Sequence, residues 1–228
     1  MASFLFLPVT MFYLSPMLIM QGAKNGVVTG SLVFLFLLFL VSFFWGRGFC
    51  GWLCPAGALQ EWAFNVNDKP VKGGKLNWIK YFIWAPWLIL MVITVTRAGG
   101  FGSIDLFYRT RFGVSLADPS AYMMYYAAMG FILCFSFFAG KRPFCHYMCI
   151  LTPFMVIGRN FSRKTGLPVL RLEAEKEKCI NCGICTLNCP MSIDVREMVQ
   201  KGSMYDPECI FCGSCIDACP KGVIRFSR

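Results

Sequence analysis

The sequence predicts a membrane α-helical domain of four spans, arranged as a duplicated hairpin, followed by a small α+β domain rich in cysteine. Three observations predict it. Four apolar stretches of spanning length fill the first two thirds of the chain. A Cys-x3-Cys phrase closes the second stretch and returns after the fourth, 95 residues later. A twelve-residue phrase carrying four cysteines is then written twice near the C-terminus.

The composition of the 228 residues fits this division. A hydrophobic content of 57% is too high for a soluble domain of this size. Residues 1–155 are mostly apolar and aromatic, whereas residues 156–228 carry much of the charge and eight of the thirteen cysteines. The net charge of +10 raises the question of nucleic acid. The basic residues flank the apolar stretches instead, and no basic stripe with interleaved aromatics occurs elsewhere, so no nucleic-acid partner is expected.

The four stretches are Ser3–Met20, Val27–Trp45, Trp78–Val95 and Ala121–Ala139. Each has about 18–19 residues, enough with its flanks to cross a hydrocarbon core of about 30 Å. Leu32–Leu40 is an unbroken run of Leu, Val and Phe. The first stretch is interrupted by Pro8 and Pro16; it lacks the positive start of a signal peptide and reads as a retained helix. Pro86 predicts a kink in the third. Buried helices of a soluble protein would explain one such run, but not four with Trp and Tyr near several ends.

Lys and Arg set the orientation. Arg47, Lys69, Lys72 and Lys75 follow the second stretch, with Lys80 just inside the third, and Lys141, Arg142, Arg159, Arg163 and Lys164 follow the fourth; the opposite side holds only Lys24, Arg97, Arg109 and Arg111. The expectation is a multi-pass protein of a prokaryotic cell membrane with both termini cytoplasmic. The outer loop Ala98–Ser120 is long enough for a short interfacial helix.

The domains expected are a transmembrane unit over 1–155, a basic linker over 156–168 lying along the anionic inner leaflet, and a small α+β domain over 169–228. That last domain contains Cys179-x2-Cys182-x2-Cys185-x3-Cys189-Pro190 and Cys209-x2-Cys212-x2-Cys215-x3-Cys219-Pro220. This is the bacterial ligand run for [4Fe-4S] clusters, in which the fourth cysteine of each run serves the other cluster. Cys179, Cys182, Cys185 and Cys219 are therefore assigned to one cluster, and Cys209, Cys212, Cys215 and Cys189 to the second. Zinc is disfavoured, because its sites pair Cys-x2-Cys units instead of four-cysteine runs. Such thiolates need a reducing compartment.

The repeat at the inner ends of the spans aligns Arg47, Phe49, Cys50, Trp52 and Cys54 with Arg142, Phe144, Cys145, Tyr147 and Cys149. On a helix, residues i and i+4 share a face. Two packed copies would bring four sulfurs together, as an Fe–S cluster requires. Arg47 and Arg142 would offset its negative charge. Two other readings stay open: a redox or metal-handling dithiol, and plain packing of small residues. The unrepeated Cys134 reads as packing.

His146 is the sole histidine. It is a candidate proton acceptor for a quinol, or a structural histidine bonded to a carbonyl. One histidine cannot make a bis-histidine haem, and no Cys-x-x-Cys-His is present for a c-type haem. Gly46-x-Gly48-x-x-Gly51 matches a dinucleotide fingerprint only formally, since it follows a membrane helix instead of a strand.

The phrase from Phe49 to Ala58, the second motif at Cys145 and Cys149, and the two-cluster tail together resemble NapH-type membrane polyferredoxins. They also resemble the membrane parts of NosR and CcoG. The second motif departs from the pattern, with Ile150 where the family has Pro. The resemblance implies a quinol dehydrogenase-type electron-transfer subunit, working with quinone, other subunits of a membrane complex or a soluble oxidoreductase. Two rival functions are a metal-reducing assembly factor using the membrane thiols, and a membrane anchor for a soluble oxidoreductase.

Overall fold

The computed structural model describes residue 10, residues 12–110 and residues 119–227. Residues 3–9 and 11 of the first predicted span lie outside the described residues. Its described end is helix α1, Pro16–Lys24, which begins where Pro16 occupies the first helical position and runs past Met20. A short strand β1, Val27–Thr29, follows, and Thr29 caps helix α2, Gly30–Trp45, by accepting from Leu32 N. The second predicted span is thus a 16-residue helix preceded by a strand.

Two short helices come next, α3 (Gly48–Trp52) and α4 (Pro55–Trp62). A 3-10 turn over Gly74–Trp78 leads into α5, Ile79–Arg97, which continues through Pro86. Beyond it, β2 (Ser103–Asp105) pairs in parallel with β1, Val28 opposite Ile104. The described part of the outer loop therefore holds a strand and a turn where a helix is expected. Helix α6, Pro119–Ala139, returns to the other end. There α7 (Pro143–Tyr147) and α8 (Leu151–Thr165) repeat the pattern of α3 and α4.

Among the described residues, two helical stretches are long and apolar enough to cross a membrane, Gly74–Arg97 and Tyr122–Ala139. This falls short of the four spans expected from sequence. Both present apolar side chains outward, among them Phe82, Ile89, Met123 and Phe138, and α2 does the same with Phe36 and Phe44.

The halves pack reciprocally. Helix α2 of the first copy lies against α8 of the second, and α4 of the first against α6 of the second. Helix α8 includes most of the segment read as a linker. Thr152, Met155, Val156 and Arg159 line one buried face of it, spaced as an amphipathic helix requires. Burying Met155 and Val156 contributes about 1.5–3 kcal/mol each. At Gly158 the contact with α2 is so close that a Cβ would run into Ser42 Oγ.

The C-terminal domain is framed by an antiparallel pair, β3 (Arg171–Ala174) and β4 (Ile224–Ser227), with Leu172 opposite Phe226. Between them lie α9 (Ile184–Leu187), α10 (Val195–Lys201) and α11 (Ser214–Asp217). The two cysteine runs share backbone geometry at an offset of 30 residues. Asn181 and Phe211 are left-handed, as are Gly183 and Gly213, then Ser192 and Gly222. A bulky residue such as Phe211 at positive φ is unusual and is held there by packing, with 1% of its surface exposed.

Candidate metal centres

Each cysteine run in the tail bends around a small cavity. Cys179, Cys182, Cys185 and Cys219 line one of them. Cys189, Cys209, Cys212 and Cys215 line the other. All thirteen cysteines are unbridged. Backbone N–H groups donate to the sulfurs: Phe211 to Cys209, and Met191 and Ile193 to Cys189. Burial pushes the Cys189 thiol up to about 11 and that of Cys215 up to about 12.

Among the described residues, no three His, Cys, Asp or Glu side chains converge tightly enough to hold a single ion. A zinc ion would draw its sulfurs to about 2.3 Å. The thiols stand around a space instead of meeting at a point. With four sulfurs per cavity and N–H donors aimed at sulfur, the residues fit a cage-type cluster.

The Cys-x3-Cys motifs are built differently from the expected single helical face. Cys50 sits in α3, but the N–H groups of Leu53 and Cys54 both bond Phe49 O, which closes that helix. Cys54 is extended and begins α4, with Pro55 at its first position. The second copy repeats this: Met148 and Cys149 both donate to Phe144 O, and α8 starts two residues beyond Cys149 without a proline. The helix break is thus intrinsic to the motif.

The four thiols nevertheless share one buried neighbourhood. Burial raises Cys54 first, then repulsion from Cys50, Cys145 and Cys149. Burial likewise pushes Cys50 up to about 12, and it raises Cys145. Cys50 Sγ lies 3.6 Å from Met155 Sδ, and Gln60 Nε2 donates to Cys145 Sγ at 3.2 Å. Free thiols so buried stay protonated at neutral pH and make poor nucleophiles.

Two fully buried guanidiniums flank them. Arg142 donates to Cys50 O at 2.8 Å and to Glu61 Oε1 at 2.6 Å. Arg47 donates to Glu208 Oε2 at 2.8 Å and to Pro207 O at 3.1 Å. Lys80 Nζ bonds the other oxygen of Glu208. Lys80, read from sequence only as a basic flank, is therefore an internal ion-pair partner. Glu208 and Gln60 carried no signal in the sequence reading. An acid directly before a ligand cysteine, in so basic a chain, was the available clue to Glu208.

His146 is 2% exposed, and both ring nitrogens are engaged. Burial lowers its pKa to about 4, so the ring is neutral with one N–H. Nε2 lies 3.0 Å from Met191 O, which can only accept, so the proton sits there. Nδ1 lies 3.0 Å from Asn77 Oδ1; with the proton on Nε2, the Asn77 amide is assigned the reverse orientation, in which its NH2 donates to Nδ1. His146 thus joins α7 to the C-terminal domain.

More bonds seal this seam. Trp52 Nε1 donates to Phe211 O at 2.8 Å, Lys141 Nζ to Leu187 O at 2.7 Å, and Val71 N to Ser192 Oγ at 2.9 Å. Arg159 donates to Asp206 O at 2.8 Å and stacks on Phe211 at 4.5 Å.

Comparison with known proteins agrees with this organisation. A 4Fe-4S binding domain family matches residues 27–72 and 121–168, which are the two copies of the repeat. A 4Fe-4S dicluster domain family matches residues 178–224. The chain is 26% identical to the uncharacterised protein MJ0749 of Methanocaldococcus jannaschii, over 96% of the chain and 80% of that protein. It is 23% identical to YccM of Escherichia coli K12, over 92% of the chain and 59% of YccM. With the regulatory protein NosR of Stutzerimonas stutzeri it shares 27% identity, over 80% of the chain and 25% of NosR. No solved structure matches. The chain carries ferredoxin-like 4Fe-4S domains and is related to YccM and NosR.

Proposed function

We propose that this chain is a membrane-bound electron-transfer subunit of the NapH type. It relays single electrons between two [4Fe-4S] clusters in its C-terminal domain, a third Fe–S centre at Cys50, Cys54, Cys145 and Cys149, and a quinone or partner oxidoreductase. The ligands assigned are Cys179, Cys182, Cys185 and Cys219 for one cluster, and Cys189, Cys209, Cys212 and Cys215 for the other; the two four-cysteine cavities support that assignment. The clusters supply reversible one-electron storage. The protein holds the thiolates, offsets their charge with Arg47 and Arg142, and excludes water. YccM, whose given name proposes electron transport, supports the same function.

The observation that carries the reading is one continuous buried core containing Cys50, Cys145, Cys189 and Cys215. Membrane residence, with four spans and cytoplasmic termini, is supported by the two long apolar helices, their outward apolar faces and the Lys/Arg distribution. An aromatic groove of about 550 Å³ between Trp45, Trp52, Phe211 and Phe226 suits a quinone ring.

The rival reading is an assembly factor that uses the four membrane-end thiols to reduce or pass on a metal. Cys50 and Cys145 are buried, and their shielding from a partner argues for permanent metal ligation over exchange. Iron counting on anaerobically purified protein separates the two. Three clusters of four irons give about twelve irons, whereas the rival gives about eight with four titratable thiols. Replacing Cys50 and Cys145 by Ser should remove about four irons and one EPR signal. An unchanged iron count in that variant would remove the membrane centre from the proposal.

A further inference from the structure

Resting on that reading, we infer that the two C-terminal clusters stand in series. The cluster of Cys189, Cys209, Cys212 and Cys215 is the inner one, next to the membrane-end cysteines. The cluster of Cys179, Cys182, Cys185 and Cys219 is the outer terminal.

The two cysteine sites meet backbone on backbone. A Cβ on Gly51 would collide with Ile210 O and stand 3.2 Å from both Cα and N of Cys212. Gly51 directly follows Cys50, so a ligand residue of the membrane site is one residue away from contact with a ligand residue of the inner cluster. Beside it, the left-handed turn at Phe211 presents the carbonyl that Trp52 Nε1 bonds at 2.8 Å. Trp52 lies two residues from Cys50 and from Cys54, and Phe211 is the neighbour of Cys212. One hydrogen-bonded route and one close backbone contact therefore join the sites.

The outer cluster is joined less directly: Lys141, four residues from Cys145, donates to Leu187 O, two residues from Cys185. Its cavity is lined by residues of the C-terminal domain alone, including exposed Arg196, Pro220 and Lys221. Cys182 is exposed and none of its four cysteines is buried, whereas Cys189 and Cys215 of the inner set are buried. Ile180, between two outer ligands, is 58% exposed, while Ile210, its counterpart in the inner run, is 2% exposed.

In each hop one cluster loses one electron and the next gains it. A soluble one-electron redox protein exchanges electrons at the outer cluster. At the membrane end a quinol is oxidised to quinone in two one-electron transfers and releases its two protons to water, and each electron then passes along the clusters in turn. Two different partners are thereby kept at opposite ends of one chain.

The test uses the full chain in detergent, purified anaerobically. Iron is counted first: fewer than about eight irons overturns the functional reading itself, independently of the order of clusters. The dithionite-reduced protein is then examined by EPR power saturation with and without an aqueous dysprosium chelate. Cys182→Ser and Cys212→Ser assign the signals. The series order expects strong relaxation enhancement of the outer cluster and little of the inner; equal enhancement, or a stronger effect on the inner, overturns it. Gly51→Ala should lift the inner loop and expose that cluster to the chelate while leaving the outer signal unchanged. An inner cluster still shielded in a folded Gly51→Ala protein also counts against the proposal. If that variant does not fold, the wild-type comparison decides alone.

Discussion

The guanidinium of Arg142 donates to the carbonyl oxygen of Cys50, 2.8 Å away and 92 residues earlier in the chain. One arginine of the second repeat thus braces the Cys50 loop of the first. Its other arm reaches Glu61, whose side chain is 29% exposed. Arg142→Gln would leave that carbonyl and part of the carboxylate unpaired. The expected loss is about 2–3 kcal/mol, below the full value for a buried pair because Glu61 is partly hydrated. Denaturant unfolding in detergent reads it directly, and no change in midpoint would refute the bracing role.

Glu208 bridges two cations that are wholly buried, Arg47 and Lys80. Glu208→Gln keeps the shape and removes the charge, so both cations lose their ion-pair partner. A destabilisation of about 3–5 kcal/mol is expected. It should be concentrated at the seam, where hydrogen exchange would rise in 46–52 and 206–212 before it rises in α5. Uniform faster exchange across the chain would contradict a local clamp.

Gly158→Ala should weaken the packing of α8 on α2 by about 1–3 kcal/mol, as overpacking does. The added methyl meets Ser42 Oγ and comes within 3.3 Å of Phe39 O. Because the nearer obstacle is a hydroxyl, Ser42→Ala in the same chain should recover much of the loss. A double-mutant cycle measures the coupling, and strict additivity would mean the contact is relieved elsewhere.

The crossed ligand sets make an unambiguous prediction. Cys219→Ala should damage the cluster of Cys179, although Cys219 belongs in sequence to the run that starts at Cys209. Cys189→Ala should damage the cluster of Cys209. EPR of each reduced variant, with iron per chain, distinguishes this from the uncrossed pairing, which expects the opposite signals to vanish.

Much of the site was legible because ligand spacing is local. The two runs carry their own turns, and the same left-handed positions recur 30 residues apart. The pairing of α2 with α8 and α4 with α6 was implicit in the 95-residue repeat. Long-range partners were not legible. Nothing near Lys80 announces an acid 128 residues away, and a lysine at the start of an apolar helix looks like an interface flank. The helical packing of residues 156–165 was not legible for a related reason. Arg159 counted as surface charge, yet it is buried with its guanidinium stacked on Phe211 and Tyr205. The Cys-x3-Cys face was misjudged because i,i+4 geometry assumes an unbroken helix, and Phe49 O and Phe144 O each end one early by accepting two bonds.

Positions 51 and 146 occupy the same place in the two repeats, and there the repeats stop being equivalent. A twofold base offers an asymmetric guest two seats. The glycine at 51 opens one of them to the Ile210–Cys212 loop, and the bulky ring at 146 fills the other while gripping Met191 O. Docking the cluster domain the other way round would drive its loop into an imidazole and leave a buried nitrogen without its partner. Two side chains therefore convert a symmetric scaffold into one with a single handed arrangement. They fix which end of the domain faces the repeats before any cluster potential comes into play.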